Sequence, residues 1–425
     1  MTKEKILVVP CGTEIGLEIS RSLNGTKNIE VWGANSISDH GKFVYRNYIE
    51  GVPFVDEEGF VDAVKNLVKK NDFNYVFPAH DTAILKLKKN EKQIGCKIVT
   101  SPLETCKIAR HKRATYLYLK NKVKVPQLYE PNLLKESDFP VFIKPDIGQG
   151  SKGTALIKNY DDFGKLEIDF DKYLVCEYLP GAEYTVDCFT DCNRNLLFSG
   201  VRIRNRILNG ISVNTRRVID ADDDFEMFAE EINRAVTLVG AWFFQIKRDK
   251  FGRLTLLEFA PRIAGAMALH RSVGVNFAEL SLYTINDQQI KIVPNSFDIE
   301  MDRALNNRYK IDIEYENVYL DFDDCLVVDG KINTQLISFI YQCVNERKKV
   351  FLISRHSGDL YKKLSELRLD KLFDDVYHIT DASSKSKFIT STNSIFIDDS
   401  FSERKEVQES LGIFVFSIDS VEALL

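Results

Sequence analysis

Val141-Phe142-Ile143-Lys144-Pro145-Asp146-Ile147-Gly148-Gln149-Gly150-Ser151-Lys152-Gly153 runs from an apolar strand through a lysine into a glycine-rich turn. Glycine has no Cβ, so backbone N–H groups in such a turn can approach a polyanion closely. A lysine at the end of a buried strand adds a fixed positive charge for the same phosphates. The spacing is not that of a Walker loop, because no Gly-Lys-Ser/Thr follows the glycines. Taken alone, the stretch also reads as a glycine-rich hairpin with a solvated lysine.

Later stretches favour the phosphate reading. Tyr173-Leu174-Val175-Cys176-Glu177-Tyr178-Leu179-Pro180-Gly181-Ala182-Glu183-Tyr184-Thr185-Val186-Asp187 predicts strand, tight turn, strand. Phe243-Phe244-Gln245 and Leu256-Leu257-Glu258-Phe259-Ala260-Pro261-Arg262 place polar residues at the ends of apolar strands. With these motifs, in this order, the chain from about Lys5 to about Asn286 resembles the ATP-grasp superfamily, in its carbamoyl-phosphate-synthetase-like branch.

The whole chain bounds the reading. Its 425 residues suffice for two to four domains, and 44% hydrophobic with 28% charged residues is the composition of a soluble globular protein. A net charge of −5 gives no footprint for nucleic acid. No apolar run reaches the ~18–20 residues of a membrane span, and no signal-peptide pattern opens the chain, so a cytoplasmic protein without a membrane partner is expected. The eight cysteines form no Cys-x-x-Cys pair, and several fall in apolar strands, which favours buried thiols over disulfides or zinc.

From the N-terminus, Lys5–Pro10 predicts a strand, and a helix follows to about Leu23. Gly12 and Gly16 suit the turn between them, but Cys11 and Glu14 interrupt a dinucleotide fingerprint. Strands at Ile29–Trp32, Tyr75–Pro78 and Lys97–Val99 and a helix at Phe60–Lys70 complete a Rossmann-like domain over 1–103, the kind that precedes the ATP-grasp fold in the family. His80 and Asp81 follow a strand's C-terminal end, where open α/β sheets bind ligands; a helix N-cap at Asp81 or Thr82 beside a solvated histidine is the competing reading.

The resemblance implies the roles of the residues in an ATP-grasp domain over 104–300. Lys112 and Lys144 contact phosphates, and the loop with Gly148, Gly150, Ser151 and Gly153 folds over them. Glu177 and Leu179 flank the adenine edge, and Glu183 accepts from the ribose. Gln245 and Glu258 hold Mg²⁺, and Arg262 stabilises the transferring phosphoryl group. Ala260 stands where the family usually has Asn, so one metal ligand is missing. Val201-Arg202-Ile203-Arg204-Asn205-Arg206 alternates with period two, which predicts three arginines on one strand face. With Arg216 and Arg217 nearby they would repel one another unless an anion is expected, so Arg202, Arg204 and Arg216 are candidates for an anion site. Phe225–Val239 predicts an amphipathic helix, and Gly265 and Leu269-His270-Arg271 fall where family members shape the acceptor pocket.

After a connector at 287–316, Val318-Tyr319-Leu320-Asp321-Phe322-Asp323-Asp324-Cys325 is a buried strand ending in crowded carboxylates. With Ser354 ending the strand Val350–Ser354, a lysine at Lys385 or Lys387, and Asp398-Asp399 ending Ser394–Ile397, residues 312–425 resemble the haloacid-dehalogenase-like (HAD-like) phosphohydrolases. The resemblance makes Asp321 the nucleophile and Asp323 the acid and base. Ser354 and the lysine hold phosphoryl oxygens, and Asp321, Asp323 (through its carbonyl) and Asp398 hold Mg²⁺, with Asp399 as a helper. Cys325 replaces a usual threonine. About 33 residues separate Asp321 from Ser354 and about 31 separate Ser354 from Lys385, too few for a cap domain.

The expected architecture is thus an α/β and α+β multidomain protein with a Rossmann-like pre-ATP-grasp domain, a two-lobed ATP-grasp domain and a capless HAD-like domain. The expected function is an ATP- and Mg²⁺-dependent ligase that activates a small carboxylate as an acyl phosphate for an amine. It would be fused to an Mg²⁺-dependent phosphatase acting on a phosphate monoester. A kinase that stops at phosphoryl transfer, and a non-catalytic ATP sensor, are the alternatives. The sequence does not fix the oligomeric state, for which a homodimer is the working expectation.

Overall fold

The apolar run Ile6–Val9 forms the last four residues of Glu4–Val9, the central strand of a five-stranded parallel sheet. The spatial order is Asn47–Glu50, Ile29–Asn35, Glu4–Val9, Tyr75–Pro78, Lys97–Ile98, so the chain reverses its direction of travel beside the central strand. The helix Glu14–Leu23 starts at Thr13, whose Oγ1 accepts from the Gly16 N–H at 3.0 Å. This computed structural model describes residues 3–148, 150, 152–208, 210–219, 221–309 and 311–425, with Asp223 described by its backbone only. The chain divides into two compact units, Met1–Leu305 and Asn306–Leu425. Among the described residues no helix is long and apolar enough to cross a membrane.

Two further sheets complete the first unit. A four-stranded antiparallel sheet has the order Leu128–Tyr129, Tyr173–Glu177, Val141–Pro145, Ala155–Ile157. A six-stranded antiparallel sheet has the order Leu254–Ala260, Gly240–Arg248, Glu183–Thr190, Leu196–Leu208, Ile211–Arg217, Glu300–Asp302. Alternation along its strands turns Val186, Cys188, Phe244, Ile246 and Leu256 toward the helix Asp223–Ala235, where Phe225, Ala229 and Ile232 complete one core. The opposite face carries Thr185, Asp187, Arg202, Gln245 and Glu258.

Four expectations are corrected here. The connector contains a strand, Glu300–Asp302, which pairs with Asn214–Arg216; three residues without apolar alternation leave no pattern to read. The helix expected to reach Val239 ends at Ala235, because Val236 is already extended. The strand with the alternating arginines is irregular between Arg204 and Ile207, so Arg206 leaves the face of Arg202 and Arg204 and pairs with Asp302 at 2.6 Å. Arg216 lies opposite Ile203, on the other face from Arg202, and pairs with Asp298 in solvent. It is no part of an anion site.

The second unit is a five-stranded parallel sheet with its own apolar cores, in the order Asp375–His378, Lys349–Ser354, Asn317–Leu320, Ser394–Ile397, Phe414–Phe416. Between Asp321 and Ser354 the chain forms a small hairpin and the helix Thr334–Asn345. Between Ser354 and Lys385 it forms the helix Leu360–Glu366 and the strand Asp375–His378.

One buried ion cluster is a structural pivot of the first unit. Asp187 accepts from Arg202 Nε at 2.8 Å and Nη2 at 3.2 Å, and His270 Nδ1 lies 2.9 Å from the same carboxylate. Burial alone would raise the Asp187 pKa, but Arg202 and His270 outweigh it and hold the carboxyl below the usual range. A Cβ at Gly200 would lie 2.7 Å from His270 Nε2, so only glycine leaves room for the ring. Asp187→Ala strands a buried guanidinium and should cost about 3–5 kcal/mol. Both tryptophans, Trp32 and Trp242, lie in the first unit, so tryptophan fluorescence during urea unfolding reads this loss directly. Because the folded pKa is depressed, the contribution of Asp187 is complete above its unfolded value of about 3.9 and is lost as the pH falls through the lower folded value. The deficit of the variant should therefore shrink in acid.

Candidate functional site

Two adjoining cavities open on the charged face of the six-stranded sheet, one of about 160 Å³ and one of about 460 Å³. The smaller lies between the four-stranded and six-stranded sheets. It is lined by Lys112, Lys144, Gly148, Gly150, Glu177, Leu179, Glu183, Arg204, Gln245 and Glu258, so ten residues singled out from the sequence converge there. Phe142, Cys176 and Leu257 add apolar walls. Gly153 borders the loop with φ +72 without lining the cavity, and Ser151 lies outside the described residues. Arg262 lines the larger cavity, which shares Lys112, Arg204, Gln245 and Glu258 with the smaller one.

Lys144, Lys112, Glu258, Glu183 and Arg204 in the smaller cavity are each held by a neighbouring group. Lys144, next to last in its strand, is 6% exposed, donates to the Tyr116 hydroxyl and lies 4.9 Å over the Tyr116 ring. Tyr116 donates in turn to the Leu257 carbonyl at 2.6 Å, and burial pushes its pKa well above the ordinary value, so the phenol stays neutral. Asp146 clamps the start of the helix Lys112–Leu119. Its Oδ1 accepts from the Arg113 N–H at 2.7 Å, its Oδ2 lies 2.9 Å from His111 Nδ1, and its carbonyl accepts from the Lys112 N–H at 3.2 Å. Lys112 Nζ then donates to the Gly148 carbonyl at 3.2 Å and lies 3.5 Å from Glu258. Glu183 gives one oxygen to Arg204 at 2.5 Å, so a diol would meet its other oxygen.

The glycine loop is covered by the turn at Gly210. Gly210 has φ +77, and a Cβ there would stand 2.3 Å from the Gly150 backbone. Arg204 Nη2 donates to the Gly210 carbonyl at 2.8 Å and fixes that turn above the cavity.

The sheet register lines up the polar face. Thr185 is paired with Arg202 on one side and with Gln245 on the other, and Gln245 is paired with Glu258. Residues directly opposite share a face, so Arg202, Thr185, Gln245 and Glu258 form one row across four strands. Thr185 Oγ1 is buried without a hydrogen-bond partner and lines the larger cavity, as does Arg202. One carboxylate beside one carboxamide suits Mg²⁺ that takes its remaining oxygens from phosphate, and Ala260 adds no donor on the same face.

In the larger cavity Arg262 is held by Asp81, through Nε at 2.5 Å and Nη2 at 3.2 Å. Burial would lower the arginine's pKa and raise the carboxylate's, but the mutual attraction prevails in both and keeps the pair charged. The helix N-cap expected at Asp81 or Thr82 is His80 itself, its Nδ1 accepting from the Thr82 N–H at 3.2 Å, while Asp81 is the first helical residue. Gly265 lines the larger cavity, whereas Leu269, His270 and Arg271 line neither; Arg271 binds Glu18 at 2.6 Å.

In the second unit Asp321, Ser354 and Asp398 stand just beyond or at the C-terminal ends of three adjacent parallel strands. Lys385 donates to Asp321 at 2.6 Å and to Asp398 at 2.7 Å, while Lys387 is exposed. Burial pushes the Asp321 pKa up to about 7 despite Lys385, and raises Asp398 too. Among the described residues, Asp321, Asp398 and Asp399 are the group with carboxylate oxygens within 4.8 Å of one another. Such an all-oxygen donor set suits Mg²⁺. The Asp323 side chain turns instead to His356, whose Nδ1 lies 3.0 Å from both of its oxygens. Ser354 Oγ is fully buried and accepts from the His356 N–H at 3.1 Å. Asp146, Tyr116, Asp187 and His356 were not singled out from the sequence. The one available signal was the position of Asp146, two residues after Lys144.

Comparison with known proteins adds to this geometry. Residues 169–305 match the family described as ATP-grasp in the biosynthetic pathway with Ter operon. Among proteins of curated function, none matches the chain. Solved structures with the same fold include the biotin carboxylase domain of 2-oxoglutarate carboxylase from Hydrogenobacter thermophilus, in complex with MgADP, ADP and bicarbonate. The identity is 13% and the TM-score 0.60, over 69% of this chain and 72% of that one. Biotin carboxylase from Campylobacter jejuni, in a β,γ-ATP complex, gives 16% and 0.56, over 68% and 72%. N5-carboxyaminoimidazole synthetase from Staphylococcus aureus gives 16% and 0.55, over 68% and 80%. The first unit carries an ATP-grasp domain.

Proposed function

We propose that the first unit binds ATP with Mg²⁺ and activates a small carboxylate as an acyl phosphate for attack by an amine. The observation that carries this reading is the in-register row of Arg202, Thr185, Gln245 and Glu258, which joins the two cavities. A nucleotide in the smaller cavity meets apolar walls around its base, and its phosphates meet Lys144, Lys112 and the amides of the glycine loop. Gln245 and Glu258 would hold Mg²⁺, which neutralises phosphate charge when bound. Arg262, fixed by Asp81, faces the larger cavity, where the acid would sit and where charge develops as the γ-phosphoryl group moves to it. The sheets on either side exclude water from the acyl phosphate until the amine arrives. Ala260 favours one alternative, an ATP-binding sensor with a weakened metal site.

For the second unit the reading is a HAD-like phosphohydrolase acting on a phosphate monoester. Asp321 attacks phosphorus to form an aspartyl phosphate, and the leaving oxygen takes a proton from Asp323, which then activates water. Lys385 offsets the charge on Asp321 and Asp398, and Asp321, Asp398 and Asp399 would hold Mg²⁺. The support is the meeting of these groups at the ends of adjacent parallel strands, where open sheets bind ligands.

Three outcomes are expected. Lys144→Ala removes a charge-assisted contact worth roughly 1.5–3 kcal/mol, so calorimetry should read ATP affinity lower by about ten-fold or more; equal affinity would refute the assignment. Gly210→Ala should displace the glycine loop and weaken ATP binding while the urea midpoint of the first unit moves little; retained affinity would mean that the loop does not close on phosphate. A fragment beginning near Asp312 should hydrolyse a small chromogenic phosphate ester with Mg²⁺, and Asp321→Asn should abolish the activity. Undiminished hydrolysis in that variant would rule out the nucleophile.

A further inference from the structure

We propose that the acid activated by the first unit carries a second anionic group, and that Arg110 binds it. The inference rests on the carboxylate-activating reading above and names the class of its substrate: a small acid with a further oxyanion, carboxylate or phosphate, at its far end.

The argument is one of charge and position. Three carboxylates line the larger cavity, and each has a cation: Glu14 pairs with Arg303 at 2.7 Å, Asp81 with Arg262 at 2.5 Å and Glu258 with Lys112 at 3.5 Å. Arg202 and Arg204 are anchored by Asp187 and Glu183, and Lys152, on the glycine loop, is exposed to solvent. Arg110 differs from all of these. It ends the helix Leu103–Arg110, is partly buried, lines the larger cavity, and has a hydroxyl as its side-chain partner, Thr82 Oγ1 at 2.9 Å. Among the described residues no carboxylate lies within ion-pair distance of it. The Asp81 charge reaches Arg110, but both of its oxygens are taken by Arg262. One carboxylate between two guanidiniums leaves a net positive charge, and a partly desolvated guanidinium without a counter-ion is costly until an anion arrives.

Position assigns the anion to the substrate and not to ATP. Arg110 lines the larger cavity alone, beside Thr82 and Asp81, whereas Gln245 and Glu258 are shared with the smaller cavity. An acid whose reacting carboxylate lies at the shared wall reaches toward Arg110 with its far end. About 460 Å³ accommodates such a molecule. The fork of the guanidinium suits a planar carboxylate or two oxygens of a phosphate.

The test is equilibrium binding to the full chain in the presence of MgADP, with matched acids: succinate against butyrate, glutarate against valerate, and phosphonoacetate against acetate. The wild type should bind at least one dianionic acid about ten-fold more tightly than its monoacid partner. Arg110→Gln should erase that preference, and Arg110→Lys, which keeps the charge without the fork, should recover part of it. The phosphonate and dicarboxylate arms separate the two kinds of oxyanion. If no dianionic acid binds more tightly than its partner, or if the preference survives in Arg110→Gln, the inference is overturned. The wild-type pairs and Arg110→Lys decide the matter if Arg110→Gln fails to fold. MgADP binding to the wild type is titrated first, so failure of the nucleotide reading shows there and is distinct from equal binding of an acid pair.

Discussion

The register of four antiparallel strands is the constraint on which the first unit depends. Side chains alternate between faces along a strand, so a slip of one residue would send an entire set to the wrong side. Pairing Thr185 with both Arg202 and Gln245, and Gln245 with Glu258, puts guanidinium, hydroxyl, carboxamide and carboxylate on one line. The same pairing sends Val186, Phe244 and Ile246 into the opposite core. Burial of that core fixes the register, and the register builds the site.

A site that gathers this many cations must hold them apart until an anion comes. The protein does so with carboxylates behind or beside four of them: Asp187 for Arg202, Glu183 for Arg204, Asp81 for Arg262 and Glu258 for Lys112. The second unit reverses the signs, with Lys385 between two carboxylates whose pKa values burial raises. In each unit a reversal of strand order opens a crevice at the C-terminal edge of a parallel sheet. Thr13, His80 and Asp81 stand at one crevice, and Asp321, Ser354 and Asp398 at the other.

What the sequence disclosed follows from which forces are local. Lys144, Glu258, Asp321 and Asp398 were legible because each is a charge that follows an apolar run: Asp321 and Asp398 stand just past their strands, while Glu258 lies inside its strand, on the charged face of the sheet. Tyr75–Pro78 was legible as such a run. The partners that hold these residues were not. Tyr116 meets Lys144 across 28 positions, Asp187 meets His270 across 83, and Arg262 meets Asp81 across 181. Nothing in a local pattern records such distances. The irregular pairing that turns Arg206 away depends on the neighbouring strand, and Glu300–Asp302 is too short to show a period. Arg110 stood in a basic run with Lys112 and Arg113, where only the fold distinguishes the arginine that faces a cavity from its neighbours.

The central claim is that this row of side chains receives ATP together with Mg²⁺ at Glu258. Calorimetric titration of ATP with and without Mg²⁺, on the wild type and on Glu258→Gln, tests it most directly. The account predicts that Mg²⁺ tightens ATP binding to the wild type and has little effect on the variant, whose carboxamide keeps the shape of the side chain but not its charge. An equal effect of Mg²⁺ on both proteins, or no ATP binding by the wild type, would contradict it.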